Sequence, residues 1–335
     1  VWMFAGLACM IGICYLDYSR IGKHARLLAG VWIVVMGLSV FKGAVSINGA
    51  AYGIPFLLGY VLPIRPFLYL IVPVYAAVLY SMRGNQQGYM GVVKAVLWQI
   101  LPVWIILRIP NLSMALSVEF TFLILLSIAI CKGWFKVNKR RTLTALWSIV
   151  ILLPVAAITA MARLGYVHSY QKARISAFIH PDGNDAGTFW GTIRNMIRGA
   201  HLAGRGDYEN VWFFNRDYML TFIIHYYGIL AAVIVTGIVG GILLWFLKKT
   251  GKQKNQLGMI MGTGCITVLM IQFAGYVLEN LGYFPLSNNY CMFLTTGGSG
   301  MMISYMMLGI LLSIYRYQNV LAEPQTMGRR NKIQS

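Results

Sequence analysis

The chain has 335 residues, of which 58% are hydrophobic and only 11% are charged. Soluble domains carry about a quarter charged residues, so this composition excludes an ordinary soluble protein. The formal net charge of +19 would suit a nucleic-acid-binding protein, but we reject that class, because Lys and Arg in a membrane protein first report topology.

Apolar stretches of about the length that crosses a ~30 Å hydrocarbon core recur along the chain. Helix is the form that satisfies the backbone of such a stretch internally. The chain starts inside an apolar run, so we expect at least one earlier span. The pattern predicts a single all-α polytopic bundle over residues 1–335, with nine helices at about 1–16, 27–41, 56–81, 91–109, 113–131, 142–162, 218–247, 257–278 and 301–316.

Basic residues divide unevenly between the two sets of connecting segments. Five segments hold 18 of them, whereas the short loops between these hold only Lys42, Arg65 and Arg108. Because Lys and Arg accumulate in cytoplasmic loops, these five segments, the last of which includes the tail at 317–335, are predicted to be cytoplasmic. Their basic residues are Arg20, Lys23, Arg26, Arg83, Lys94, Lys132, Lys136, Lys139, Arg140, Arg141, Lys248, Lys249, Lys252, Lys254, Arg316, Arg329, Arg330 and Lys332.

Residues 163–217 form the one long connection, and the same topology predicts that this connection is extracellular. Five of the nine acidic residues lie in it, together with several Trp and Phe residues. Loops of this length inside a compact protein are usually functional or disordered. The aromatic content favours a partly folded cap on the outer membrane surface.

The second half of the chain carries an ordered series of motifs. Residues 272–300 read QFAGYVLENLGYFPLSNNYCMFLTTGGSG. Upstream stand YQKARISAFIHP at 170–181, GAHLAGRG at 199–206 and RDYMLTFIIHYYG at 216–228. In order and spacing these motifs resemble the FtsW/RodA/SpoVE (SEDS) family of cell-shape, division and sporulation membrane proteins. The resemblance is strong over 170–316 and weak over 40–100.

The resemblance implies a ten-span fold with both ends in the cytoplasm, of which this chain holds the last nine spans. It also implies a peptidoglycan glycosyltransferase that polymerises lipid II into glycan strands in cell division, elongation or sporulation. The expected location is the bacterial cytoplasmic membrane, and the expected partner is a class B penicillin-binding transpeptidase. The resemblance makes no cofactor certain, and a divalent cation is possible.

Asp217 is the candidate catalytic residue, because it matches the essential Asp of the family where the long connection re-enters the membrane. Glycan extension requires a sugar hydroxyl to lose a proton as it attacks an anomeric carbon, and a positioned carboxylate can accept that proton. The alternative is an N-terminal cap, in which Asp217 satisfies free N–H groups of the following helix.

Four arginines are candidate ligands of a lipid-linked diphosphate, because guanidinium groups pair with phosphate oxygens through forked hydrogen bonds. Arginines beside a membrane also meet anionic headgroups without any further function. Gln272 and Ser299 complete the substrate-binding candidates, and Gln272 also suits an interhelical hydrogen bond. The arginines are Arg174, Arg198, Arg205 and Arg216.

Some family positions differ in this chain. Asn111 replaces an Asp, and His225-Tyr226 replaces a Glu-Glu pair. Glu119 has no counterpart and falls inside a predicted span, where it is functional, partly exposed near the outer surface, or paired with Arg108 or Arg65. A divergent enzyme, a non-catalytic scaffold for a transpeptidase and a lipid II flippase therefore remain open at this point.

Overall fold

The structure is a computed structural model. It describes residues 2–41, 45–47, 50–55, 61–63, 65–84, 88–108, 112–149, 185–204, 206, 218–283, 291, 294–295 and 298–318.

Among the described residues, the first half holds seven α-helices, one 3-10 helix and a small sheet. In chain order these are α1 (Trp2–Tyr15), α2 (Tyr18–Lys23), α3 (Ala25–Phe41), β1 (Val45–Ile47), β2 (Ala50–Pro55), β3 (Val61–Pro63), a 3-10 helix (Arg65–Leu70), α4 (Ile71–Ser81), α5 (Tyr89–Arg108), α6 (Leu112–Cys131) and α7 (139–149). The second half continues with α8 (Asp185–Arg198), α9 (Met219–Tyr227), α10 (Ile229–Gly251), α11 (Gln256–Asn280) and α12 (Gly298–Arg316).

The predicted polytopic helical bundle is confirmed, and several helix ends agree with prediction within a few residues. Four helices of the described residues are long and apolar enough to cross a membrane, namely Tyr89–Arg108, Met114–Cys131, Ile229–Gly251 and Gln256–Asn280. Four shorter apolar helices accompany them, at Met3–Tyr15, Ala25–Leu38, Phe67–Ser81 and Gly300–Arg316. The predicted helix at 142–162 begins at 139, and its part beyond 149 lies outside the described residues.

The predicted helix over 56–81 is wrong in its first part. The strand β3 of a three-stranded antiparallel sheet, in the order β1-β2-β3, lies within this region, and regular helix begins only at Ile71, after the 3-10 helix. Proline lacks a backbone donor and glycine weakens helix, so the succession Gly53, Pro55, Gly59 and Pro63 opposes a continuous helix there.

The predicted single helix over 218–247 is also wrong. It is divided into α9 and α10 at Gly228, whose φ of +94° belongs to a region that L-residues rarely adopt. Apolar residues flank the glycine on both sides, which is why hydropathy alone predicts one long helix.

α11 is the central helix of the bundle and α10 lies at its edge. In the most apolar 18-residue stretch of each helix, 78% of α11 is buried, whereas only 17% of α10 is buried. α11 packs against α4, α6, α10 and α12, while α1 packs along α12. The α1–α12 contact is close, since a Cβ on Gly309 would lie 2.8 Å from the backbone oxygen of Met10.

Hydrogen bonds connect the five basic segments at one end of the bundle, which we call the basic end. The segments that sequence charge assigns to one side of the membrane therefore meet in the fold. We call the opposite end, where α11 terminates, the distal end. The connecting bonds run from Gly88 N to Phe135 O (2.7 Å), from Trp134 Nε1 to Gln256 Oε1 (2.9 Å), from Ser313 Oγ to Leu16 O (2.6 Å), and between the hydroxyls of Thr250 and Tyr315 (2.6 Å).

Candidate active site at the distal end of the bundle

The first turn of α9 is capped by side chains of α11. Tyr218 is the N-cap residue of α9, and its own side chain makes no capping hydrogen bond. The N–H of Leu220 donates to Tyr276 Oη (3.2 Å), and the N–H of Thr221 donates to Asn280 Oδ1 (3.1 Å). These are the N2 and N3 groups, the donors that a capping side chain ordinarily satisfies. The cap is therefore supplied by a different helix.

Further hydrogen bonds fix this junction of α9 with α11. The Thr221 hydroxyl donates to the backbone oxygen of Asn280 (2.8 Å), and Asn280 Nδ2 donates to the backbone oxygen of Tyr276 (3.0 Å). The phenol of Tyr218 donates to Glu279 Oε1 (2.8 Å). All of these side chains are buried, so the bonds are made in surroundings where an unpaired polar group would be costly.

A glycine-rich segment packs against the helix break at Gly228. We call this segment, residues 199–204 and 206, the strap. Ile229 N donates to His201 O (3.0 Å), and Leu230 N donates to Leu202 O (3.0 Å). At the other edge, Gly206 N donates to Tyr226 O (2.8 Å). The strap thus satisfies backbone groups that the break between α9 and α10 would otherwise leave unpaired.

The contact between strap and break leaves no room for a side chain. A Cβ on Gly228 would lie 2.9 Å from both Leu202 O and Ala203 Cα, and a Cβ on Gly206 would lie 2.5 Å from His225 O. Glycine is therefore required on both sides of the contact, which assigns a packing role to Gly206 of the GAHLAGRG motif.

His225 carries an imidazole without hydrogen bonds on α9. Both of its ring nitrogens are buried, and neither has a hydrogen-bond partner within the part of the chain that the structure describes. Tyr218, Thr221 and His225 are spaced at i, i+3 and i+7, so they share one face of α9. A buried polar group without a partner ordinarily destabilises a fold by roughly 1–3 kcal/mol.

α8 is an amphipathic helix that packs against α9. Ile193 and Met196 are buried on its apolar face, while Arg198 is exposed in its last turn. On the other side, α8 meets the turn that ends α11, where a Cβ on Gly282 would lie 3.2 Å from Arg194 Cγ. Two basic residues of the long connection, Arg194 and Arg198, are thus carried on a helix that contacts the α9–α11 junction.

The structure describes three of the predicted site residues in part. Arg198 lies on α8, and Ser299 lies in the first turn of α12, where only its backbone is described. Gln272 is buried, and its Nε2 donates to Tyr69 Oη (2.5 Å) while its Oε1 has no partner among the described residues. This geometry is that of the interhelical hydrogen bond. Asp217, Arg174, Arg205 and Arg216 lie outside the described residues, as does the tail at 319–335.

On the α11 side of the junction, three residues were not among the predicted site residues, namely Tyr276, Glu279 and Asn280. They recur at i, i+3 and i+4 near the end of an apolar span, which is the spacing of one helix face. A polar stripe of this kind could have been recognised from the sequence. What could not be recognised is the helix that the stripe contacts.

Glu119 lies on α6 and is partly exposed. The guanidinium of Arg108, its predicted partner, instead lies over the ring of Trp104 at 5.3 Å, and the described residues show no ion pair between Glu119 and Arg108. The side chain of Arg65 is not described. Of the predicted alternatives for Glu119, partial exposure agrees with the structure.

The fold and this distal site define a polytopic helical membrane protein with a polar junction at one end of its bundle. A model of the cell cycle protein family FtsW/RodA/SpoVE matches residues 1–320. The chain therefore belongs to this family, as its motifs indicate.

Comparisons with individual proteins agree with this family assignment. A protein of Mesostigma viride named as a peptidoglycan glycosyltransferase FtsW is 24% identical over 295 residues, which cover 83% of this chain and 65% of that relative. The chain thus spans just under two thirds of that relative's length.

Two solved structures share the fold. One comes from a study of the structural coordination of polymerization and crosslinking by a peptidoglycan synthase complex, with a TM-score of 0.76, 19% identity, and coverage of 95% of this chain and 88% of that one. The other is the crystal structure of the Thermus thermophilus rod shape determining protein RodA, with a TM-score of 0.64, 18% identity, and coverage of 95% and 86%.

Proposed function

We propose that this chain is a peptidoglycan glycosyltransferase that polymerises lipid II into glycan strands, with Asp217 as its general base. The observation that carries the proposal is the cap on α9. Because Tyr276 and Asn280 already bind the N2 and N3 amides, the capping role that would otherwise explain an acidic residue before Tyr218 is filled. The catalytic role is then the better account of Asp217.

In the proposed reaction, the acceptor sugar hydroxyl transfers its proton to the carboxylate of Asp217. The hydroxyl oxygen forms a bond to the anomeric carbon of the donor, and the bond from that carbon to the diphosphate breaks. The lipid diphosphate leaves with the electron pair of that bond. Arg174, Arg198, Arg205 and Arg216 are proposed to bind the diphosphates, since their forked donors match phosphate oxygens.

The reaction is placed at the outer face of the cytoplasmic membrane. Eighteen basic residues belong to segments that meet at the basic end, so the positive-inside rule favours a cytoplasmic location for that end. The distal end, with α8 and the α9–α11 junction, then faces outward, and the C-terminus is cytoplasmic.

The described residues contain no group of three or more His, Cys, Asp or Glu side chains that could hold a metal ion. Glu279 is the one carboxylate described at the α9–α11 junction, and its Oε1 accepts a hydrogen bond from Tyr218. A cation therefore stays a prediction.

We also propose that a membrane helix of a crosslinking transpeptidase binds along α10. A structurally similar protein takes part in a complex that couples polymerization to crosslinking. α10 is the least buried of the four long spans, and Gly237 and Gly241 are exposed with no atom near their Cβ positions. Glycines four apart allow close helix packing in membranes.

This partner proposal is tested by co-purification with a transpeptidase of the same cell. Gly237→Leu and Gly241→Leu together should abolish the complex, whereas Gly12→Leu, at an equally open glycine on α1, should leave it intact. Equal binding by both variants would exclude α10 as the partner surface.

The experiment for the catalytic proposal compares Asp217→Asn with Asp207→Asn in lipid II polymerisation by purified protein. Both changes remove one carboxylate from the same connection and keep its size. General-base catalysis contributes about 10²- to 10⁴-fold, so Asp217→Asn should lower the rate by that order while Asp207→Asn does not. An unchanged rate in Asp217→Asn would refute the site assignment. If the unmodified protein forms no strand, the scaffold alternative is the better one.

A further inference from the structure

Glu279 is a buried carboxyl group that binds the residue directly after Asp217 in the chain. Its side chain is only 4% exposed, near the end of the otherwise apolar helix α11. A buried carboxyl group is costly unless hydrogen bonds compensate it. Here the phenol of Tyr218, itself 6% exposed, donates to Glu279 Oε1 at 2.8 Å.

The partner of Glu279 is the residue that directly follows Asp217 and begins α9. The backbone oxygen of Tyr218 accepts the first intrahelical hydrogen bond, from Phe222 N (3.1 Å). One residue therefore starts the helix with its backbone and connects to α11 with its side chain. The Tyr218–Glu279 bond therefore acts one residue away from Asp217 along the backbone.

The Tyr218–Glu279 bond also determines the rotation of α9. Tyr276 and Asn280 bind the amides of Leu220 and Thr221, so two positions of the first turn are held through backbone groups. Tyr218 adds a third contact through a side chain that projects in its own direction. Three contacts from adjacent turns of one buried helix fix the height and the rotation of α9.

We propose that Glu279 is a positioning residue, which holds the start of α9 so that Asp217 meets the acceptor hydroxyl. This inference rests on the proposed function of Asp217. Catalytic groups must be held within about 0.5 Å of the productive geometry, and a displacement of about 1 Å can lower a rate about 100-fold. Glu279 acts on Asp217 through Tyr218 and the backbone.

The test uses purified full chain with lipid II and three variants. Glu279→Leu removes the acceptor of the Tyr218 phenol, and Glu279→Gln keeps an oxygen acceptor without the charge. Tyr315→Phe is the matched control, because it removes the hydrogen bonds of a phenol to Thr250 and to Phe246 O at the basic end. The readouts are kcat, KM, thermal unfolding temperature, and hydrogen exchange at the amides of residues 220 and 221.

A positioning role predicts that Glu279→Leu lowers kcat about 10- to 100-fold and leaves KM within about twofold. Exchange at residues 220 and 221 should become faster in this variant. Glu279→Gln should keep kcat within about threefold, because the acceptor remains. Tyr315→Phe should lower the unfolding temperature as much as Glu279→Leu does while kcat stays constant, which separates positioning from stability.

Three outcomes would overturn the inference. If Glu279→Leu polymerises at the unmodified rate, Glu279 does not position Asp217, and the proposed function stands. If Glu279→Gln loses as much activity as Glu279→Leu, the charge of Glu279 is required, and its role is not positioning. If the unmodified protein makes no strand, the proposed function fails, and the inference fails with it.

Discussion

Substitution of Gly228 by Ala tests whether the strap and the break between α9 and α10 act as one unit. At a φ of +94°, a non-glycine residue is strained by about 1–3 kcal/mol. The new Cβ would also lie 2.9 Å from Leu202 O and Ala203 Cα, both of which belong to the strap backbone. No side chain can rotate away to relieve that contact, so the strap itself has to move.

Displacement of the strap breaks the hydrogen bonds from Ile229 N to His201 O and from Leu230 N to Leu202 O, each with a net contribution of about 1 kcal/mol. Together, the strain and the lost hydrogen bonds should weaken the free energy of strap binding by about 3 kcal/mol or more. Since 1.4 kcal/mol corresponds to a factor of ten, its equilibrium should shift at least about 100-fold toward release.

Hydrogen exchange at the amides of residues 206, 229 and 230 measures this shift, and lipid II polymerisation measures its effect on activity. Gly237→Ala is the control, because Gly237 lies in the same helix with no atom within 4 Å of its Cβ position. There, Ala is favoured over Gly by about 1 kcal/mol through helix propensity. If Gly228→Ala exchanges as slowly as Gly237→Ala, the strap does not depend on the glycine, and the reasoning is refuted.

Three further predictions follow from burial, packing and charge. His225→Leu should raise the unfolding temperature, because it removes a buried group worth roughly 1–3 kcal/mol of unsatisfied hydrogen bonding, and a lower temperature would contradict this account. Gly309→Ala should lower the unfolding temperature, because its Cβ would lie 2.8 Å from the backbone of α1, whereas Gly30→Ala, with open space around it, should not. In a cysteine-free background, Cys at 169 should be labelled from outside the cell and Cys at 335 only after permeabilisation, and labelling of both from one side would refute the topology.

The hydrogen-bond partners of the polar groups at the distal end could not be predicted from the sequence. Gln272 was predicted as an interhelical or substrate-binding residue, and the structure shows its bond to Tyr69, which lies 203 positions earlier in the chain. Glu279 was not predicted as a site residue, although it contacts the residue next to Asp217. Hydrogen-bond partners this distant in sequence are brought together only by helix packing, and one sequence contains no signal for them.

The sequence by itself determined the class, the approximate positions of most spans and the common end of the basic segments, because hydropathy and charge act residue by residue against membrane and water. Its motifs determined the family. The tertiary structure decided that Gly228 divides one apolar run into two helices, because the strap that occupies the break comes from residues 199–206. It also decided that α11 caps α9 and that Tyr218 meets Glu279, because these bonds depend on the register of two helices joined through α10, and relative register is not a property of either helix alone.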